Sequence, residues 1–166
     1  SRSTRRRAGS WRPVTNIGLK DSTMADDGWM ETHRAVVFPW HCDHLGHMNV
    51  RWYGHFFDDA GFHLWSRIGL SHATLKERGV VTVIASIKTD FRHECGAGEL
   101  VLVRSAFTKL GTKSLTMHQR MSNAETGDLI ATQEVIEVFF DVADRTATAM
   151  PGDIRTKLQD VLAAAD

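Results

Sequence analysis

VRWYGHFFDDAGFHLWSRIG, residues Val50–Gly69, is the stretch whose spacing sets the fold class. Tyr53, Phe57, Ala60, Leu64 and Ile68 recur at helical intervals on one face, and Phe56 and Gly61 widen it. Gly69 is a helix stop. A helix apolar over that much of its girth has to be covered by other elements, so a sheet must be found for it nearby.

Upstream, His33 to Trp40 contains Val36, Val37 and Phe38 and ends around Pro39, which predicts a first strand. His41 to Asn49 is polar and turn-like. Downstream the period changes. Val80 to Ile87 is a β-branched run, followed by the turn Cys95-Gly96-Ala97-Gly98. Leu100 to Phe107 predicts another strand, then the turn Leu110-Gly111-Thr112-Lys113. In Ser114 to Met121, Leu115, Met117, Gln119 and Met121 share one side. After the turn Asn123–Asp128 comes a long strand, Leu129 to Val142. Pro151 leads into a C-terminal helix at Ile154 to Ala165. The order β-α-β-β-β-β-α predicts an α+β domain: an antiparallel sheet of about five strands wrapped around one long central helix.

At 166 residues the chain fits one domain, placed at 33–166. Residues 1–32 are expected to be a disordered extension, because Arg2, Arg5, Arg6, Arg7 and Arg12 stand there without apolar periodicity. A transit peptide or a phosphate-binding arm are the alternatives. Lys+Arg and Asp+Glu both total 20, which argues against a nucleic-acid partner and gives little attraction to an anionic membrane. No apolar run approaches the length of a membrane span. Cys42 and Cys95 form neither a disulfide framework nor a C-x-x-C pair. Reduced thiols in a cytoplasmic protein are expected.

The dense polar segment His41-Cys42-Asp43-His44-Leu45-Gly46-His47-Met48-Asn49 lies between the first strand and the helix. Such a junction points backbone N–H groups and the positive end of the helix dipole at one place, which favours developing negative charge. Asp43, the one carboxylate in the segment, can attack a carbonyl or activate water there.

Asp43-x-x-Gly46-His47-x-Asn49-x-x-x-Tyr53-x-x-x-Phe57-x-Asp59-Ala60 resembles the signature of the 4-hydroxybenzoyl-CoA thioesterase-like branch of the hotdog superfamily. Phe91-Arg92-His93, Gly98-Glu99-Leu100, Leu110-Gly111-x-Lys113-Ser114, Gly127 to Asp141, Arg145 and Pro151 continue the likeness. The resemblance implies a hotdog fold and an acyl-CoA thioesterase. It makes Asp43 the nucleophile or general base and the backbone N–H near Val50 the group that polarises the thioester carbonyl. It assigns Gly46 to close chain approach and Asn49 to ordering the loop or the attacking water. His47 enters the catalytic set as part of the same motif. Many relatives carry a second acid two positions before the catalytic one. Here that place is His41, which could alter the charge state of Asp43.

The nucleotide of CoA is expected on Arg92, Lys109, Lys113 and Ser114 at hairpin ends. CoA is then part of the substrate; no cofactor and no metal are expected. His41, His44, His47, His55 and His63 are read as solvated or hydrogen-bonded rings. Asp58 and Asp59 read as an exposed pair, one of which could reach a site across a subunit interface. Trp40, Trp52 and Trp65 are expected to pack, Trp52 with the option of lining an acyl pocket. Two other functions fit the pattern. One is a hotdog hydratase or dehydratase using His47 with Asp43. The other is a non-catalytic acyl-CoA-binding protein, although residues 1–32 show no helix-turn-helix pattern. Unpaired sheet edges predict a homodimer or homotetramer with the site at the subunit interface.

Overall fold

In the computed structural model, which describes residues 27–164, the long helix stands where the apolar spacing puts it. This helix, α1, covers Val50–Arg67 and buries Tyr53, Phe56, Phe57, Ala60, Gly61, Leu64 and Trp65. Asn49 caps it, its side-chain oxygen accepting the Arg51 N–H at 3.2 Å. Five strands of the sheet follow the expected order: β1 (Met30–Val36), β2 (Val80–Phe91), β3 (Leu100–Leu110), β4 (Ser114–Asn123) and β5 (Leu129–Asp141). They pair antiparallel in the order β1-β3-β4-β5-β2, and a two-residue β6 (Thr146–Ala147) adds to β5. Two short helices complete the set, α2 (His72–Glu77) and α3 (Gly152–Gln159). One face of the antiparallel sheet receives α1, which is the hotdog arrangement the sequence predicts.

Several boundaries differ. The first strand begins at Met30 rather than His33, and Trp29 and Met30 are both buried. The Arg120 guanidinium sits 4.0 Å over the Trp29 ring. Residues 27–32 therefore belong to the folded unit; the basic composition ends at Lys20 and says nothing about them. The rest of the expected extension, residues 1–26, lies outside the described residues. At its other end β1 stops at Val36, because Pro39 has no N–H for a ladder and starts the 3-10 turn Pro39–His41 instead. Helix α3 ends at Gln159, short of the expected Ala165. Beyond it the chain is drawn back to the sheet, where Ala163 N–H donates to Phe107 O at 2.8 Å.

Two apolar clusters hold α1 to the sheet. Trp65 meets Phe107 at 4.9 Å between ring centroids, with Leu64, Phe139 and, from α3, Ile154 and Leu158 around them. Nearer the helix start, Phe57, Phe56 and Tyr53 pack on Val101, Val103 and Met121. Cutting back one such side chain, as in Leu64→Ala, costs about 2–5 kcal/mol. That anchorage keeps the first amides of α1 in place. Among the described residues no helix is long and apolar enough to cross a membrane.

The helix lies mainly over β1 and β3 and meets β2 at Tyr53 and Phe91, 5.0 Å between ring centroids, while α2 packs against another part of β2. Among the described residues β2 is also the outermost strand, paired to β5 on one side alone. Its Ile84 and Ile87 are 52% and 53% exposed, although both face the same side as the core. A groove of about 620 Å³ results between α1 and the β2–β5–β4 part of the sheet.

Candidate active site

The loop from Asp43 to Met48 is shaped by its own polar groups. Asp43 N–H donates to His47 O and Gly46 N–H donates to Asp43 O, both at 3.0 Å. Leu45 N–H donates to Asp43 Oδ1 at 2.9 Å, an Asx turn. Gly46 carries φ +82°, and a Cβ built there would meet nothing within 4 Å. Glycine is thus needed for its backbone conformation and not, as expected, for close approach. Gly46→Ala is expected to destabilise the fold by about 1 kcal/mol through that φ. Chemical denaturation checks it, and an unchanged midpoint contradicts it.

These bonds orient the Asp43 carboxylate. Its second oxygen, Oδ2, accepts from Asn49 Nδ2 at 3.3 Å, so one residue both caps α1 and holds the carboxylate. The Leu45 N–H, above all, holds the Asp43 carboxyl below the usual carboxylate range. Partial desolvation opposes that, while Asn49, His44 and His47 add to it. The carboxylate is therefore ionised at neutral pH. Val50 is the first residue of α1, and its N–H donates to no acceptor among the described residues. That amide is free to stabilise negative charge on a bound oxygen.

Asp43, His47 and Val50 line one cleft of about 380 Å³ with Arg92. Val50, Tyr53 and Phe91 line this cleft and the larger groove alike, so the two adjoin. A polar head at Asp43 and an apolar passage leading away under α1 suit an acyl thioester.

Other expected residues fall elsewhere. His47 turns its Nδ1 to Glu94 Oε2 at 3.3 Å, so the His47–Asp43 dyad of a hydratase is not formed. His41 is buried, and its Nδ1 accepts the Phe38 N–H at 3.0 Å. Its ring lies 4.6 Å from that of Trp52. Burial lowers the His41 pKa, with His55 adding to the effect. Burial thus favours the neutral His41 ring, which packs against Trp52. Trp52, tilted against that ring, does not line the groove.

Of the expected nucleotide contacts, Arg92 lines the cleft. Lys109, Lys113 and Ser114 do not. Ser114 pairs with Val138, which pairs with Val83, whereas the cleft lies at the Phe91 end of β2. Successive hairpins of an antiparallel sheet turn at opposite ends, and the Leu110–Ser114 turn is at the end where Met150 N–H donates to Thr112 O. Lys113 Nζ donates there to Ala147 O at 3.2 Å. Of the helix acids, Asp59 approaches His55 at 3.6 Å and Asp58 lines the groove. Among the described residues no three His, Cys, Asp or Glu side chains converge as a metal-ligand set. Both cysteines are free thiols, and burial, above all, pushes that of Cys95 up to about 12.

The groove adds residues that were not singled out. Gln119, Gln133 and Glu137 face α1 from β4 and β5 and are all buried. Their signal lay in the strand alternation, which puts polar side chains at positions usually apolar. Burial pushes the Glu137 carboxyl above the usual range, with Thr82 and Trp65 opposing it. Trp65 Nε1–H donates to its two oxygens at 3.2 and 3.4 Å. A carboxyl with a raised folded pKa stabilises the fold most below its unfolded value, and that contribution is lost as pH rises through the folded pKa. Glu137→Gln, which stays neutral, should therefore gain melting temperature over wild type as pH rises from about 4 to about 8. Thermal melts across that range test it, and a pH-independent difference contradicts it.

Comparison with known proteins bears on the fold and the family. A search among curated proteins finds no match. Among solved structures, the fold is shared with a Staphylococcus aureus hypothetical protein determined in complex with CoA: 21% identity, TM-score 0.73, covering 81% of this chain and 85% of that one. The probable thioesterase YbaW from Escherichia coli is 21% identical, with TM-score 0.70 and coverage of 80% and 99%. A 1,4-dihydroxy-2-naphthoyl-CoA thioesterase from Synechocystis is 19% identical, with TM-score 0.69 and coverage of 78% and 96%. Residues 36–158, which run from the end of β1 through α3 and include the whole Asp43 loop, match a family described as the thioesterase-like superfamily, and the chain belongs to it.

Proposed function

We propose that this chain hydrolyses an acyl-CoA thioester to a free carboxylic acid and CoA, with Asp43 as nucleophile or general base. The observation that carries the reading is the Asp43 carboxylate, held by Leu45 N–H and Asn49, in one cleft with the unpaired first amide of α1. In the chemical step the C–S bond breaks and a C–O bond forms at the carbonyl carbon. The Val50 N–H stabilises the oxyanion. As a base, Asp43 takes the proton of the attacking water; as a nucleophile, it forms an anhydride that water then opens. The departing sulfur leaves as the thiolate of CoA and is protonated by solvent. Arg92 at the cleft mouth suits a phosphate of CoA. Family membership and the CoA complex of the staphylococcal neighbour support the same substrate class.

The active unit in this proposal is a homodimer or a dimer of dimers. β2 offers a free edge of 12 residues, and a second copy adding antiparallel to it would close the open side of the groove. That pairing also sets the Val80 end of the partner's β2 beside the Phe91 end of the first. The partner's hairpin containing Lys113 and Ser114 would then approach the cleft that it cannot reach within one chain.

Free-thiol release from acyl-CoA substrates tests the hydrolysis directly. Chelators are expected to leave that rate unchanged, because Asp43 and the helix amide supply the chemistry. Loss with EDTA that one added metal restores contradicts this.

A further inference from the structure

The acyl groove has a polar floor. Inward-facing strand positions opposite a helix are normally apolar, yet β4 and β5 place Gln119 and Gln133 directly opposite each other there. Gln133 faces Thr89 of β2 and donates to its hydroxyl at 2.9 Å. Gln119 is 1% exposed and donates from Nε2 to Phe57 O at 2.8 Å and to Ser105 Oγ at 3.2 Å. Phe57 O can only accept, so the amide nitrogen has to face it. The other end of the amide, Oε1, is buried without a partner among the described residues. An acceptor left in this way is unfavourable, and a donor bound in the groove that Gln119 lines would pair it.

We propose that Gln119, with Gln133 and Thr89, reads a hydroxyl or similar hydrogen-bond donor on the acyl group, so that the substrate is a hydroxylated acyl thioester and not a plain alkyl one. The inference rests on the acyl-CoA reading for the thioester end alone. Its depth follows from the helix. Phe57, which anchors Gln119, is seven residues beyond Val50, about 10 Å along α1. A medium-length acyl chain with a terminal hydroxyl spans that depth when its carbonyl sits at the Val50 amide. The groove wall allows the passage, because α1 presents Gly54 and Gly61 to it, and a Cβ at Gly54 would meet nothing within 4 Å.

The test uses the full chain and two matched pairs, hexanoyl-CoA with 6-hydroxyhexanoyl-CoA and octanoyl-CoA with 8-hydroxyoctanoyl-CoA. Both kcat/KM and the Kd by calorimetry are measured. In at least one pair the hydroxylated member should be preferred by roughly 10-fold or more, because a site with an unpaired acceptor rejects the analogue that lacks the donor. Gln119→Met should bring that ratio close to one. If that variant does not fold, Gln133→Met and Thr89→Val carry the same comparison, with a smaller fall in the ratio. Equal treatment of both members in both pairs, by rate and by binding, overturns the inference. So does a preference that survives unchanged in every folded variant. If neither thioester is hydrolysed but the binding ratio is present and falls in the variants, the polar floor stands and the hydrolysis reading fails.

Discussion

Asp43→Asn is expected to lower thioester turnover by about 10²-fold or more, a loss of roughly 3 kcal/mol or more of transition-state stabilisation. The amide matches the carboxylate in size and can keep the Leu45 N–H bond to Oδ1. It cannot act as a base or form the anhydride. The loop should survive, because its turn is also held by the Asp43–His47 and Gly46–Asp43 backbone bonds. A lost rate with unchanged circular dichroism is therefore the expected pair of results. Near wild-type turnover would remove Asp43 from the chemistry. The wild-type pH profile gives a second view. The carboxyl lies below its ordinary value of 3.8, so the acid limb of the rate should fall below that pH, where protonation empties the carboxylate.

The second large effect concerns the β2 edge. Sedimentation of the wild-type chain should show a dimer or larger, and Ile84→Lys with Ile87→Lys should give a monomer with at least 10-fold lower turnover. Both side chains are about half exposed on a strand whose outer edge has no partner among the described residues. A β-bulge between Ile84 and Ser86 bends the edge without covering it. In a twofold assembly two lysines from each copy would meet in a partly desolvated seam, and like charges there oppose association. A wild-type monomer that hydrolyses at full rate would contradict the assembly.

What was legible in the sequence follows from how local each cause is. Helix α1 is local, and the spacing of Tyr53, Phe57, Ala60 and Leu64 places the buried face correctly, whereas the Asn49 cap emerges only in the folded chain. Strands β4 and β5 alternate clearly enough to be bounded within about two residues. Helix α2 was missed although Ser71 caps it, its hydroxyl accepting the Thr74 N–H at 3.2 Å; six residues carry too little periodicity. β6 is a two-residue pairing that only the folded β5 creates. The start of β1 was misplaced because burial of Trp29 depends on Arg120, far along the chain.

The site divides in the same way. Asp43, Gly46, Asn49 and Val50 lie within one short segment, and it is the family resemblance carried by that segment that implies their roles. Lys109, Lys113 and Ser114 could not be placed, since which hairpin turns at which end depends on strand order. The polar floor required two strands to be set side by side, Gln119 against Gln133. Single-strand alternation shows each residue facing inward but not that the Gln119 oxygen is left without a partner among the described residues, which depends on Phe57 and Ser105 holding the amide nitrogen.

The most direct test of the account is thiol release by the wild-type full chain from a panel of acyl-CoAs that includes short, medium-length and hydroxylated members. The account predicts release that is proportional to enzyme and matched by equal amounts of free acid for at least one member. Binding of acyl-CoA by calorimetry without release of thiol from any member would contradict it and leave a protein that holds the thioester without cleaving it.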